Sequence, residues 1–192
     1  MAVSRITKSS ILQGFPKSRS LLAGNAYYVP PSFESIATAN GTGSSASVTF
    51  SSIPGTFKHL QIRTLANDAL GSQINMIFNA DTGSNYARHR LYGDGTTVAA
   101  SGTATTTNMF NMAFATGTAN IYGSSIIDIV DYASTTKYKT ARSLMGWDLN
   151  GSGNLYLTSG LWMNTAAITS ITLTASGTLT TASTFALYGI KG

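Results

Sequence analysis

Thr184-Phe185-Ala186-Leu187-Tyr188-Gly189-Ile190-Lys191, near the end of the sequence, decides how the rest is read. With a period of two, Phe185, Leu187 and Gly189 fall on one face and Ala186, Tyr188 and Ile190 on the other, so neither face is built for water. A strand of this kind needs strands on both flanks and a second cover, either another sheet or a neighbouring subunit. It is expected to be a central strand, with Tyr188 and Ile190 as candidates for a subunit interface. Gly189 has no side chain and marks a close approach of another backbone. The plainer alternative is a sandwich strand with a slightly apolar outer face.

The preceding 150 residues repeat that period. Val48 and Phe50 alternate ahead of a Pro54-Gly55 turn, Leu60 and Ile62 point one way from a strand over 57–65, and Ile74, Met76 and Phe78 form the next inward row. Tyr86 to Tyr92 and Thr96 to Ala100 flank Gly93-Asp94-Gly95, whose Asp-Gly pair suits a tight hairpin. The threonines at 103–107 read as a loop, followed by a strand over 109–114. Ile126 to Val130 is a β-branched run, 137–147 pairs with 155–163 across Asn150-Gly151-Ser152-Gly153, and 168–174 leads to the closing strand. Nine or ten short strands without a helix predict an all-β fold, an antiparallel β-sandwich of jelly-roll type over residues 33–192.

Residues 1–32 read differently. Arg5, Ile6, Ile11, Leu12, Phe15 and Lys17 are isolated apolar or cationic anchors among small polar residues, with Gly14, Pro16 and Pro30-Pro31 breaking any helix. Such a segment is expected to be an extended arm ordered by lying on a partner. It carries Arg5, Lys8, Lys17 and Arg19 before the first acid, Glu34, so the arm holds four of the five net positive charges of the chain. The body has no dense basic stripe, and the arm's spaced cations suit an acidic protein surface better than nucleic acid.

Only 10% of the 192 residues are charged against 43% hydrophobic, a composition of hydroxyl- and amide-paved β surfaces that pack into larger assemblies. No cysteine is present, so neither a disulfide framework nor a thiolate site is available. No apolar run reaches the length of a signal peptide or a membrane span. An exported-looking surface without an export signal is expected of a particle assembled in a cytoplasm and released by lysis.

The chemistry-bearing residues are few. Asp81-Thr82-Gly83-Ser84 matches the tetrapeptide around an aspartic protease carboxylate, but Asn79-Ala80 precede it where apolar strand residues belong, and a polar turn accounts for it. The same turn lacks the oxygens of a calcium loop. Asp128 and Asp131 are three apart and face opposite sides of a strand, and His59 and His89 have no carboxylate at ligand spacing. With no nucleophile elbow or phosphate-gripping loop, the expectation is a non-enzyme without a cofactor. Arg88-His89-Arg90 beside Tyr86 and Tyr92 could hold an anionic sugar or a phosphate, and Trp147 or Trp162 could stack on a sugar ring. The blander reading sends both arginines to solvent and His89 to the opposite face, with both tryptophans in the core.

Several stretches resemble small virion structural proteins of tailed phages, above all those of cyanobacterial and marine phages. They are Phe33 to Ala37, Ser52-Ile53-Pro54 through Arg63, Asp81 to Tyr86, Asp128 to Tyr132 with Lys137-Tyr138-Lys139, the closing Phe185 to Gly192, and the arm pattern from Ser4-Arg5-Ile6 to Gly14-x-Pro16-Lys17. The resemblance implies a β-sandwich projecting from the particle as a trimer, with its arm docked on another virion protein of the tail or capsid, and no active site to carry over. It points first to a tail appendage or fibre-type component supporting attachment, including to a host surface glycan. Capsid decoration and a carbohydrate-binding module are the alternatives.

Overall fold

The computed structural model describes residues 32–192, which form twelve strands and no helix. In chain order these are β1 (Phe33–Asn40), β2 (Ser47–Phe50), β3 (His59–Ala66), β4 (Ser72–Phe78), β5 (Tyr86–Gly93), β6 (Val98–Thr106), β7 (Met109–Ala115), β8 (Gly123–Val130), β9 (Lys139–Asp148), β10 (Gly153–Trp162), β11 (Ile171–Thr174) and β12 (Thr184–Ile190). The arm anchors Arg5, Ile6, Ile11, Leu12, Phe15 and Lys17 lie outside the described residues. The strands pair antiparallel into a wide sheet, β1-β12-β3-β8-β9-β10-β5-β6, and a narrow one, β2-β11-β4-β7, packed into a β-sandwich. Twelve strands exceed the nine or ten expected; β2 and β11, four residues each, fall on the Val48–Phe50 alternation and the 168–174 stretch and pair with each other, and β11 also pairs with β4.

β12 lies inside the wide sheet, between β1 and β3, with Leu187 opposite both Ala37 and Ile62. Phe185 and Leu187 are fully buried toward the narrow sheet, whereas Ala186, Tyr188 and Ile190 are half-buried on the other side. Gly189 does not admit another backbone, as expected above; it admits a ring. A Cβ there would fall 2.3 Å from Phe57 Cγ, so the aromatic ring occupies the space a side chain would need.

Between the sheets the inward residues of alternate positions interdigitate: Leu60, Ile62, Ile127 and Ile129 from the wide sheet meet Val48, Phe50, Ile74, Met76, Phe78, Ile171 and Leu173 from the narrow one. Lys139 is also inside, its ammonium donating to the carbonyls of Lys137 at 2.7 Å and Thr165 at 3.1 Å, and desolvation holds its pKa below the usual lysine value.

The 103–107 stretch is not a loop. β6 runs through it to Thr106, paired with β5 around a bulge at which Thr105 takes φ 54°. Threonine's β-branch suits the extended pairing, and the extra residue is absorbed by one left-handed position.

The unequal widths decide what is exposed. β7, an edge of the narrow sheet, packs over β8 and β9 and reaches β10 and β5, while no residue of β6 is buried. The inner face of β5 and β6 therefore overhangs the narrow sheet.

Candidate functional site

Two surfaces of the wide sheet gather the residues singled out above. The first is its outer face. Cross-strand register places Leu91, Leu157, Leu144 and Ile126 in one row over β5, β10, β9 and β8, continued by Arg63 and Ala186 on β3 and β12. The four aliphatic residues are 51%, 55%, 50% and 40% exposed, respectively. The next row adds Val98, Leu155 and Leu65, also open to solvent. Isolated apolar side chains on a surface are ordinary, but an in-register array crossing the sheet is a contiguous patch.

Tyr188 and Ile190 belong to this same outer face. Tyr188 stacks on Phe33 with centroids 4.8 Å apart, and Arg63 lies over both rings at 5.4 Å and 5.6 Å. The row between is polar: Gln61 Nε2 donates to Asp128 Oδ1 at 2.8 Å, and Arg63 Nε donates to Gln61 Oε1 at 3.0 Å. Asp128 thus serves a surface network. Asp131, beyond the end of β8, is held by Lys137 at 2.8 Å and Lys58 at 2.9 Å, while its backbone N–H donates to His59 Nδ1 at 3.0 Å.

The second surface is the overhang. Arg88 and Arg90 do not point to solvent, as simple alternation suggested: they share the inward face of β5 with buried Tyr86, and His89 is the exposed one. The inversion follows from Tyr86, whose phenol must reach inward to accept from Phe78 N–H at 3.0 Å and donate to Asp81 O at 3.1 Å. Burial first, with Asp81 nearby, pushes that phenol up to about 12. Tyr92 is on the same face as the arginines. Arg90 lies 4.7 Å over Tyr92 and 5.5 Å over Tyr156, and the aromatic run continues from Tyr156 to Trp147 and from Trp147 to Phe114.

Tyr156, Ser101, Thr158 and Phe110 join this site without having stood out in the sequence. Ser101 Oγ accepts from Arg90 Nε at 2.8 Å and from Arg88 Nη1 at 3.3 Å, and Arg88 lies over Phe110. Burial, then the charge of Arg90, lowers the Arg88 pKa from its usual value. The register of Arg90 with Ser101 follows from the Asp94-Gly95 hairpin that joins β5 to β6, a signal present in the sequence, whereas Thr158 comes opposite Arg90 only through the long-range pairing of β5 with β10, which no local signal places.

Trp162 is a core residue but Trp147 is only half-buried, so the expectation of two core fillers holds for one. Trp162 Nε1 donates to Asp81 Oδ2 at 2.7 Å; Asn85 Nδ2 at 2.9 Å and Gly83 N–H at 2.8 Å donate to the same carboxylate. Burial pushes the Asp81 carboxyl up, these three donors pull it down, and the donors win. Both oxygens are consumed in stapling the turn to the core, so the protease-like tetrapeptide acts here as a turn. Among the described residues no three His, Cys, Asp or Glu side chains gather as metal ligands, and no helix is long and apolar enough to cross a membrane. Set against protein-family models, curated proteins and solved structures, the chain matches none.

Proposed function

We propose that this chain is a non-enzymatic structural subunit of a tailed-phage particle, a tail-appendage type component that self-associates, as a trimer, through the outer face of its wide sheet and joins the particle through residues 1–32. The observation that carries the reading is the row Leu91, Leu157, Leu144 and Ile126, half-exposed and in register across four strands. Eight strands about 4.8 Å apart and four outward rows about 7 Å apart make a face on the order of 700 Å², close to the ~800 Å² that each partner gives to a stable interface. Covering four half-exposed aliphatic side chains contributes about 3–6 kcal/mol. Asp128 and Arg142, directly opposed across β8 and β9 in the adjoining row, together with Arg63 give that face charges of both signs and thus the means to set register between copies.

Light scattering on the purified full-length chain tests this. The expected mass is a multiple of 20.1 kDa, falling to 20.1 kDa in Leu144→Asp and Leu157→Asp with unchanged circular dichroism. Tyr188→Asp, at the margin of the same face, should weaken association less. A monomeric wild-type chain, or aspartate variants that keep the oligomer mass, would refute the assembly role.

A further inference from the structure

We propose that the overhang of β5 and β6 binds a single carboxylate carried on a saccharide, received by Arg88 and Arg90. This does not depend on the virion reading. The two arginines are two apart on one strand, so their side chains leave the same face about 7 Å apart. Ser101 Oγ accepts from both, at 3.3 Å and 2.8 Å, and the rings of Tyr92 and Tyr156 lie beneath Arg90. These contacts fix the pair but answer few of its donors, since each guanidinium carries five N–H groups.

No acid of the protein supplies the missing acceptor. All seven carboxylates lie within the described residues, and each is engaged elsewhere, in ion pairs, in side-chain hydrogen bonds or in capping its own turn. Two polar atoms at the site are also buried without a partner among the described residues: Arg88 Nε, and the hydroxyl of Thr158, which sits directly opposite Arg90 and is 1% exposed. The guanidinium donors that the described residues leave unanswered are met when a ligand brings an oxyanion to them.

Charge narrows the occupant. The chain's first 31 residues contain no Asp or Glu, so that segment has no side-chain carboxylate to offer the two arginines. β6 and β10, the neighbours of β5, contain no Lys or Arg, so the slot takes one anion rather than the phosphate track of a nucleic acid. A planar carboxylate matches the guanidinium fork. The saccharide's hydroxyls match Ser101 and Thr103, half-buried on the same face, which an acidic peptide side chain would leave unanswered.

Isothermal titration calorimetry on the full-length chain decides it, with a galacturonate trimer and sialyllactose as probes against a neutral galactose trimer, acetate, inorganic phosphate and a glutamate-containing peptide. At least one acidic saccharide should bind about tenfold or more tighter than every control. Arg90→Gln should lose that binding. Ser101→Asp, which supplies an internal carboxylate between the guanidiniums, should also lose it while raising the melting temperature by about 2 °C or more. The proposal is overturned if neither acidic saccharide binds, if phosphate, acetate, the neutral sugar or the peptide binds as well, or if folded Arg90→Gln and Ser101→Asp proteins bind like wild type.

Discussion

At the scale of single residues, the few charges are spent on fixing loops. Asp81 ties the β4–β5 connection to Trp162, and Asp131 gathers Lys137 and Lys58 at one end of the wide sheet, where its own backbone N–H donates to His59 Nδ1. Hydrogen bonds from Lys137 and then Lys58 lower the Asp131 carboxyl from 3.8 to about 2. Because the folded pKa is the lower one, the stabilisation is present above about pH 4, and it is lost as the pH falls toward 2, where the unfolded chain takes up the proton first. Asp131→Asn keeps a residue that tolerates the φ of 49° at this position, so it removes the charge without disturbing the turn. Melting temperature followed from pH 7 to pH 2 should be lower for the variant at neutral pH, and the two curves should converge on the acid side. Parallel curves would show that the two lysines contribute nothing through this carboxylate.

At the scale of elements, β12 shows how much local pattern can say. The alternation of Phe185, Leu187 and Gly189 against Ala186, Tyr188 and Ile190 identifies an interior strand because both faces are apolar, and the Asp94-Gly95 and Asn150-Gly151 turns identify hairpins because they need φ above zero, as Gly95 and Gly151 have. What filled the space over Gly189 was not legible, since Phe57 arrives from a connection 132 residues earlier. The direction of Arg88 and Arg90 was hidden for a similar reason: it depends on which side of β5 the narrow sheet covers and where that sheet stops, and both are set by pairings far apart in sequence. The β6 threonines carry no strand signal of their own because beyond Val98 this edge strand holds only small and polar residues and so shows no apolar period. Gly189→Val tests the Phe57 fit. Its Cβ overlaps the ring, so the substitution should cost about 1–3 kcal/mol in chemical denaturation. In a Phe57→Ala background the same change should cost measurably less, giving a coupling energy above about 0.5 kcal/mol. Additive losses would mean that the ring is not what reserves the glycine.

At the scale of the whole molecule, a wide sheet backed by a narrow one has two surfaces with different physics. The outer face offers aliphatic rows whose burial depends little on ionic strength, whereas the N-terminal segment offers four cations whose attraction to an acidic partner is screened within about 8–10 Å at ordinary salt. If the outer face joins copies and residues 1–32 join the particle, the two associations separate under salt. Raising NaCl from about 0.1 M to about 1 M, where screening shortens to about 3 Å, should leave the mass of the free oligomer unchanged while releasing it from assembled particles. Deleting residues 1–31 should produce the same separation without salt: an oligomer with the wild-type number of subunits that is missing from purified particles. Truncated protein incorporated at full occupancy would remove the anchoring role from the segment, and an oligomer that falls apart at high salt would move the burden of assembly from the aliphatic rows to the charged row of Asp128 and Arg142.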